Sequence, residues 1–134
     1  MSGAFSEASI LIVEDNENFS RVLDAILRGV GIANLRFASG GAEALAALAE
    51  APADVVFCDW RLEGMDGITF VRTLRGGAEP KLAATPVIMV TGHGDDALRA
   101  EAKAAGVTAY LEKPLSMRAL LSALAEVMRD RGTA

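Results

Sequence analysis

The chain has 134 residues, 51% of them apolar, and a formal net charge of −5. It is long enough for one domain with a real core and too apolar for wholesale disorder. The acidic balance argues against a DNA, RNA or anionic-membrane binder, and the lone cysteine, Cys58, excludes an internal disulfide or a thiolate zinc site.

The N-terminal "MSGAFSEAS" lacks the basic start and apolar core of a signal peptide, so residues 1–7 are expected to be a mobile leader. No apolar run approaches the ~20 residues of a membrane span, and a cytoplasmic protein is expected. Ser9 to Val13 ("SILIV") has the pattern of a buried strand. A helix follows, capped by Asn16, with Phe19, Val22, Leu23, Ile26, Leu27 and Val30 on one stripe, and Gly31 ends it. Ala33 to Ala38 reads as a weaker strand. Gly41 to Glu50 is an Ala/Leu helix closed by Pro52. The block at Val55–Cys58 is too short for a helix, and with Asp54 it reads as a strand buried on both faces. Ile68 to Arg75 is a short helix stopped by Gly76-Gly77. "GGAEPKLAAT" is expected to be a loop leading to the strand "PVIMVT". Asp95 to Ala105 is an Ala-rich helix ended by Gly106, and Val107 to Leu111 is the fifth strand. The last helix starts near Ser116, with Met117, Leu120, Leu121, Leu124, Val127 and Met128 on its stripe. Five strands alternating with five helices predict a parallel α/β sheet with helices on both faces.

In such a sheet ligands bind beyond the carboxyl ends of the strands. The first strand ends in Glu14 and Asp15, the third in Asp59, the fourth in Thr91, and the fifth leads to Lys113-Pro114. Converging carboxylates repel one another, by on the order of 4 kcal/mol for a pair about 4 Å apart at an effective dielectric near 20. Mg²⁺ suits such a set, since it binds oxygen and keeps several waters. A carboxylate beside a metal, a lysine and a threonine fits phosphoryl transfer to an aspartate. On this reading Asp59 is the nucleophile, Lys113 and Mg²⁺ neutralise the phosphoryl oxygens, and Thr91 donates a hydrogen bond to one of them.

With "LIVEDN", "CDWRLEGMDG", "PVIMVTG" and "YLEKP" in order on these elements, the chain from about Ala8 to Arg131 resembles a response-regulator receiver domain of the chemotaxis type. The resemblance supplies the flavodoxin-like strand order 2-1-3-4-5, which the pattern alone does not. It implies that Glu14, Asp15, Asp59 and the backbone carbonyl of Arg61 hold Mg²⁺, for which Mn²⁺ can substitute. It also implies that Asp59 takes phosphate from a histidine kinase or histidine phosphotransfer protein, that Lys113 contacts the phosphoryl group, and that Thr91 and Tyr110 form a switch pair. Lys113-Pro114 would be a cis peptide. The output face would be the helix Asp95–Ala105, the fifth strand and the last helix. Residues 8–131 would be the receiver and 132–134 a tail. The expectation is a monomeric, stand-alone receiver with no output domain of its own. It would be a phosphoacceptor rather than an enzyme.

The chain departs from the family at Glu14, where Asp is usual, and at Leu62-Glu63, often Met-Pro. Arg61 and His93, two residues past Asp59 and Thr91, border the site and are candidate modulators of phosphate lifetime. Cys58 reads as an inert core thiol and Trp60 as a packing residue. "GHGDDA" (Gly92–Ala97) matches a dinucleotide fingerprint, but it follows the fourth strand, and Asp95 and Asp96 would repel a pyrophosphate. Two other functions compete. A phosphate-indifferent docking module would have no use for the acids, Thr91 and Lys113. An aspartate-nucleophile phosphatase would need a second Asp where Arg61 stands.

Overall fold

The computed structural model describes residues 6–92 and 94–130. Most of the expected leader, Arg131 and the 132–134 tail lie outside them. The elements run β1 (Ser9–Val13), α1 (Glu17–Gly29), β2 (Asn34–Ala38), α2 (Gly41–Glu50), β3 (Val55–Cys58), α3 (Gly67–Arg75), α4 (Pro80–Ala83), β4 (Val87–Thr91), α5 (Asp96–Ala105), β5 (Ala109–Glu112) and α6 (Met117–Asp130). The sheet is parallel, in the order β2-β1-β3-β4-β5.

Alternation along the central strands sorts their side chains into two cores. Leu11, Val13, Val56, Cys58, Val87 and Met89 face α2, α3 and α5. Ile10, Ile12, Val55, Phe57, Ile88 and Val90 face α1 and α6. Helices cover both faces, so β1, β3 and β4 are almost wholly apolar, and a polar residue can enter only where a strand ends.

Caps set several helix starts. The side chains of Asn16, Asp66 and Asp95 accept the backbone N–H of Phe19, Thr69 and Leu98. Exposed caps of this kind are worth about 1 kcal/mol. Asp66→Ala should therefore lower unfolding stability by about that much, and a urea midpoint unchanged from wild type would remove the cap from the account.

The structure corrects the sequence reading in three places. The described residues hold six helices rather than the five expected, because Pro80 at the first helical turn starts the one-turn α4 inside the expected loop. Val22 and Met117, both placed on buried stripes, are about half exposed. In α1 the fully buried positions are Leu23 and Leu27, so the apolar stripe is wider than the face that packs. The fifth strand begins at Ala109, two residues late, because Gly106 holds the left-handed C-terminal position of α5 (φ 107°) and the chain must turn first.

Candidate functional site

The carboxyl ends of β1, β3 and β5 bring Glu14, Asp15, Asp59, Arg61 and Lys113 to one pocket. Val13 pairs with Cys58 and Thr91 with Glu112, so Glu14, Asp59 and Lys113 each leave the sheet one residue beyond its last register. Backbone bonds continue the ladder through them. Glu14 N–H donates to Ala38 O (2.9 Å), Asp59 N–H to Val13 O (3.2 Å) and Lys113 N–H to Thr91 O (2.9 Å).

The Lys113 ammonium is the hub. Its Nζ donates to Asp59 Oδ2 at 2.9 Å and to Glu14 Oε1 at 3.3 Å. It also lies 4.0 Å from the centroid of the Phe19 ring, so an aromatic face covers the cation from the α1 side. The peptide bond between Lys113 and Pro114 is cis. The other Asp59 oxygen, Oδ1, accepts the Arg61 N–H at 3.3 Å, and Glu14 Oε2 accepts the Asn16 N–H at 3.1 Å. Glu14 and Asp59 are both buried. Burial, then the charge of Asp59, pushes the Glu14 carboxyl up to about 7, against the Asn16 N–H and Lys113. Burial alone would lower Lys113, but the hydrogen bond and charge of Asp59, with Glu14 behind it, hold it above its ordinary value. The buried Cys58 thiol is raised well above its usual range, first by desolvation, which keeps it protonated and inert.

A pocket of about 400 Å³ opens over this cluster, lined by Glu14, Asp15, Asn16, Asp59, Arg61, Gly92 and Lys113. Asp15 is exposed on its rim. Thr91 is fully buried at the end of β4. The three carboxylates therefore share one pocket, but among the described residues no three acidic, His or Cys side chains are grouped as a metal cage. Mg²⁺ needs no such cage; one or two carboxylates, a carbonyl and waters suffice, and burial, with the charge of Asp59 behind it, raises the Glu14 carboxyl, so a cation in the pocket would relieve both. The donor set fits the ion.

The loop after β3 is fixed by close packing. A β-carbon at Gly67 would strike the Asp59 carbonyl oxygen, and Gly67 N–H donates to Trp60 O at 2.6 Å. Glu63, one of the departures from the family, bridges to Gly40 and ties this loop to the start of α2. Arg61 is exposed, its guanidinium 5.9 Å from the Trp60 ring centroid. His93 lies outside the described residues. Tyr110 sits away from the cluster, half-buried on β5 with Arg99 over its ring. The fingerprint-like "GHGDDA" has an ordinary explanation in part, since Asp95 caps α5. Three features were not anticipated. They are Phe19 beneath Lys113, Arg99 over Tyr110, and the hydrogen bonds of Arg75 to Ala83, Thr85 and Gly106.

A family model described as the response regulator receiver domain matches residues 10–125. A Vibrio cholerae serotype O1 protein named chemotaxis protein CheY-3 is 34% identical over 118 residues, spanning 88% of this chain and 89% of that protein. A Pseudomonas aeruginosa chemotaxis protein CheY is 36% identical over 111 residues, spanning 83% and 88%. The structure of chemotaxis protein CheY4 of Vibrio cholerae superposes with a TM-score of 0.80 at 32% identity, covering 90% of this chain and 98% of that one.

Proposed function

The chain belongs to the response regulator receiver domain family, a module of two-component signalling, and on that premise we propose that it is a phosphorylation-controlled switch whose phosphoacceptor is Asp59. The observation that carries this reading is the Lys113 ammonium, 2.9 Å from Asp59 at the end of the central strand. Each Asp59 oxygen has a donor, so the carboxylate is held in one orientation before a phosphoryl donor arrives. An Asp59 oxygen attacks the phosphorus, the P–N bond to the donor histidine breaks, and its electron pair goes to the imidazole nitrogen, which is then protonated from solvent. Mg²⁺, or Mn²⁺ in its place, held through Glu14, Asp15, Asp59 and the Arg61 carbonyl, would when bound neutralise oxygens of the transferring group. Lys113 follows its charge from the carboxylate to a phosphoryl oxygen, and Thr91 donates to another.

The phosphoryl donor on this reading is a histidine kinase or histidine phosphotransfer protein. The names of the relatives favour a chemotaxis-type output, by partner binding on the face of α5, β5 and α6 through Thr91 and Tyr110. The protein would act as a monomer and an acceptor rather than as a turnover enzyme. The test is incubation with acetyl phosphate and Mg²⁺, followed by intact mass and peptide mapping. One added phosphoryl group on Asp59, lost in Asp59→Asn, is expected. No uptake would sink the reading in favour of a docking module indifferent to phosphate.

Arg61 borders the pocket from which water must attack the acyl phosphate, and we assign it, with His93, a role in phosphate lifetime. Arg61→Ala and Arg61→Asn should both shorten the lifetime, followed through Trp60 fluorescence or radiolabel, by about tenfold for each ~1.4 kcal/mol lost from the barrier. Equal lifetimes in all three proteins would make Arg61 an ordinary surface residue.

A further inference from the structure

Tyr110 and Glu112 are two residues apart on β5, so their side chains leave the same face of the sheet. One residue of α5 reaches both. The Arg99 guanidinium lies 4.7 Å from the centroid of the Tyr110 ring, and its terminal nitrogen is 3.6 Å from Glu112 Oε2. The Glu112 carboxylate in turn fills the space that a β-carbon would occupy at Gly94, in the connection between β4 and α5. A single clasp thus joins the ring of Tyr110, the end of β5, the body of α5 and the backbone just beyond Thr91. The ring borders a groove of about 260 Å³ lined also by Ala102, Lys103 and Val107, on the α5 side of β5.

We propose that Arg99 is a positioning residue for the switch: it holds Tyr110 in the α5–β5 groove while Asp59 is unphosphorylated, and it must release the ring before Tyr110 can turn toward Thr91. The inference rests on the switch reading given above. It goes beyond that reading by naming the contact that sets the resting equilibrium. The chemistry suits a latch. A guanidinium over an aromatic face is attracted by the ring quadrupole, and Glu112 fixes where the guanidinium lies. Both contacts are partly exposed, so the latch is weak enough to be opened by events at Asp59. A ligand that binds only the turned state appears weaker by the fraction of molecules in that state. Loosening the latch should therefore tighten binding of a phosphoryl mimic at a site that Arg99 does not touch.

The chain contains one tyrosine, so biosynthetic 3-fluorotyrosine gives a single ¹⁹F resonance that reports Tyr110 alone. Wild type, Arg99→Ala, Arg99→Lys and Glu112→Gln are titrated with beryllofluoride in the presence of Mg²⁺. Arg99→Ala is expected to bind beryllofluoride about two- to fivefold more tightly than wild type. Its resonance without beryllofluoride should already lie part-way to the position of the bound form. Arg99→Lys, which keeps the charge but not the planar stack, and Glu112→Gln, which keeps the stack but not its anchor, should fall between the two. A purely structural role for Arg99 would move the melting temperature without moving the unliganded resonance toward the bound position. Equal affinities and unshifted unliganded resonances, in a wild type that does bind beryllofluoride, would overturn the latch alone. A wild type that fails to bind beryllofluoride would overturn both the latch and the phosphoacceptor reading.

Discussion

In metal-free buffer the protein is expected to lose stability as the pH rises from about 4.5 to about 7, by on the order of 3 kcal/mol. The cause is Glu14, whose carboxyl sits near 7 because it is buried beside Asp59. An acid raised in the folded state binds its proton more tightly there than in the unfolded chain. Between the ordinary carboxylate value and the raised one the folded protein therefore carries more protons than the unfolded one, and stability falls with increasing pH. Below that window both states are protonated and Glu14 contributes no penalty; above it the penalty is complete. Lys113 does not shape this window. Its value is raised from an already high one, so the stability it supplies is present throughout and is lost only in strongly alkaline solution.

Glu14→Gln should flatten the profile, measured by urea unfolding from about pH 5 to about pH 8, and so separate Glu14 from the general self-repulsion of an acidic protein. Lys113→Met should steepen it, because two buried carboxylates would then face each other without a cation. The variant should lose roughly 3–5 kcal/mol at the alkaline end and less near the acid end, where Glu14 is protonated and one carboxylate fewer lacks a cation. Millimolar Mg²⁺ should restore stability at the alkaline end of the wild type, since a ligand of the folded state stabilises it by mass action. It should not do so in the double variant Asp15→Ala with Asp59→Ala. A wild-type profile that is flat, or that rises with pH, would mean that Glu14 is ionised at little cost, and the charge balance described for the pocket would be wrong.

The parts of this site that were legible in the sequence are those in which one residue's position implies its place. An acid directly after an apolar strand must emerge at the carboxyl edge of the sheet, because both sheet faces are covered. Glu14 and Asp59 were found that way, Lys113 by its place after the fifth strand, and the central strands were recognisable because they are apolar almost throughout. What was hidden depends on contacts between distant segments. Phe19 lies under Lys113 although 94 positions separate them in sequence, and it looked like one more member of the α1 stripe. Arg99 resembled any exposed basic residue on an Ala-rich helix until β5 placed Tyr110 and Glu112 within its reach. Periodicity overstated burial at Val22 and Met117 because it gives the direction of a side chain and not whether a neighbour reaches it. The one-turn α4 is too short to show any period, and its mark was Pro80 alone.

The same limitation concealed Arg75, where the second large effect is expected: Arg75→Met should destabilise the protein by about 3 kcal/mol and lower its melting temperature by about 10 °C. In sequence Arg75 is a basic residue in the last turn of a helix, the kind usually assigned to the helix dipole. In the structure it holds four carbonyl contacts. Nε and one terminal nitrogen donate to Gly106 O at 3.1 and 2.8 Å, and the other terminal nitrogen donates to Ala83 O at 2.8 Å and Thr85 O at 2.6 Å. The ends of α3, α4 and α5 are thereby tied at one guanidinium. Burial lowers its pKa, but a guanidinium in a protein stays charged, so it remains a cation. The close approach depends on Gly106, whose left-handed backbone turns its carbonyl toward the fork and where a side chain would press on the Arg75 stem. Methionine keeps the apolar stem and removes every donor. Three carbonyls then lose charge-assisted bonds worth roughly 1.5–3 kcal/mol each, offset in part by water at a half-buried site. Arg75→Lys should recover less than half of the loss, because a single ammonium cannot match a planar fork aimed at three acceptors. Amide exchange should locate the damage, with protection falling first at the C-terminal end of α5 and around Thr85. A Met variant within about 0.5 kcal/mol of wild type would show that these bonds are replaced by water at no cost, and that α5 is anchored by its apolar face alone.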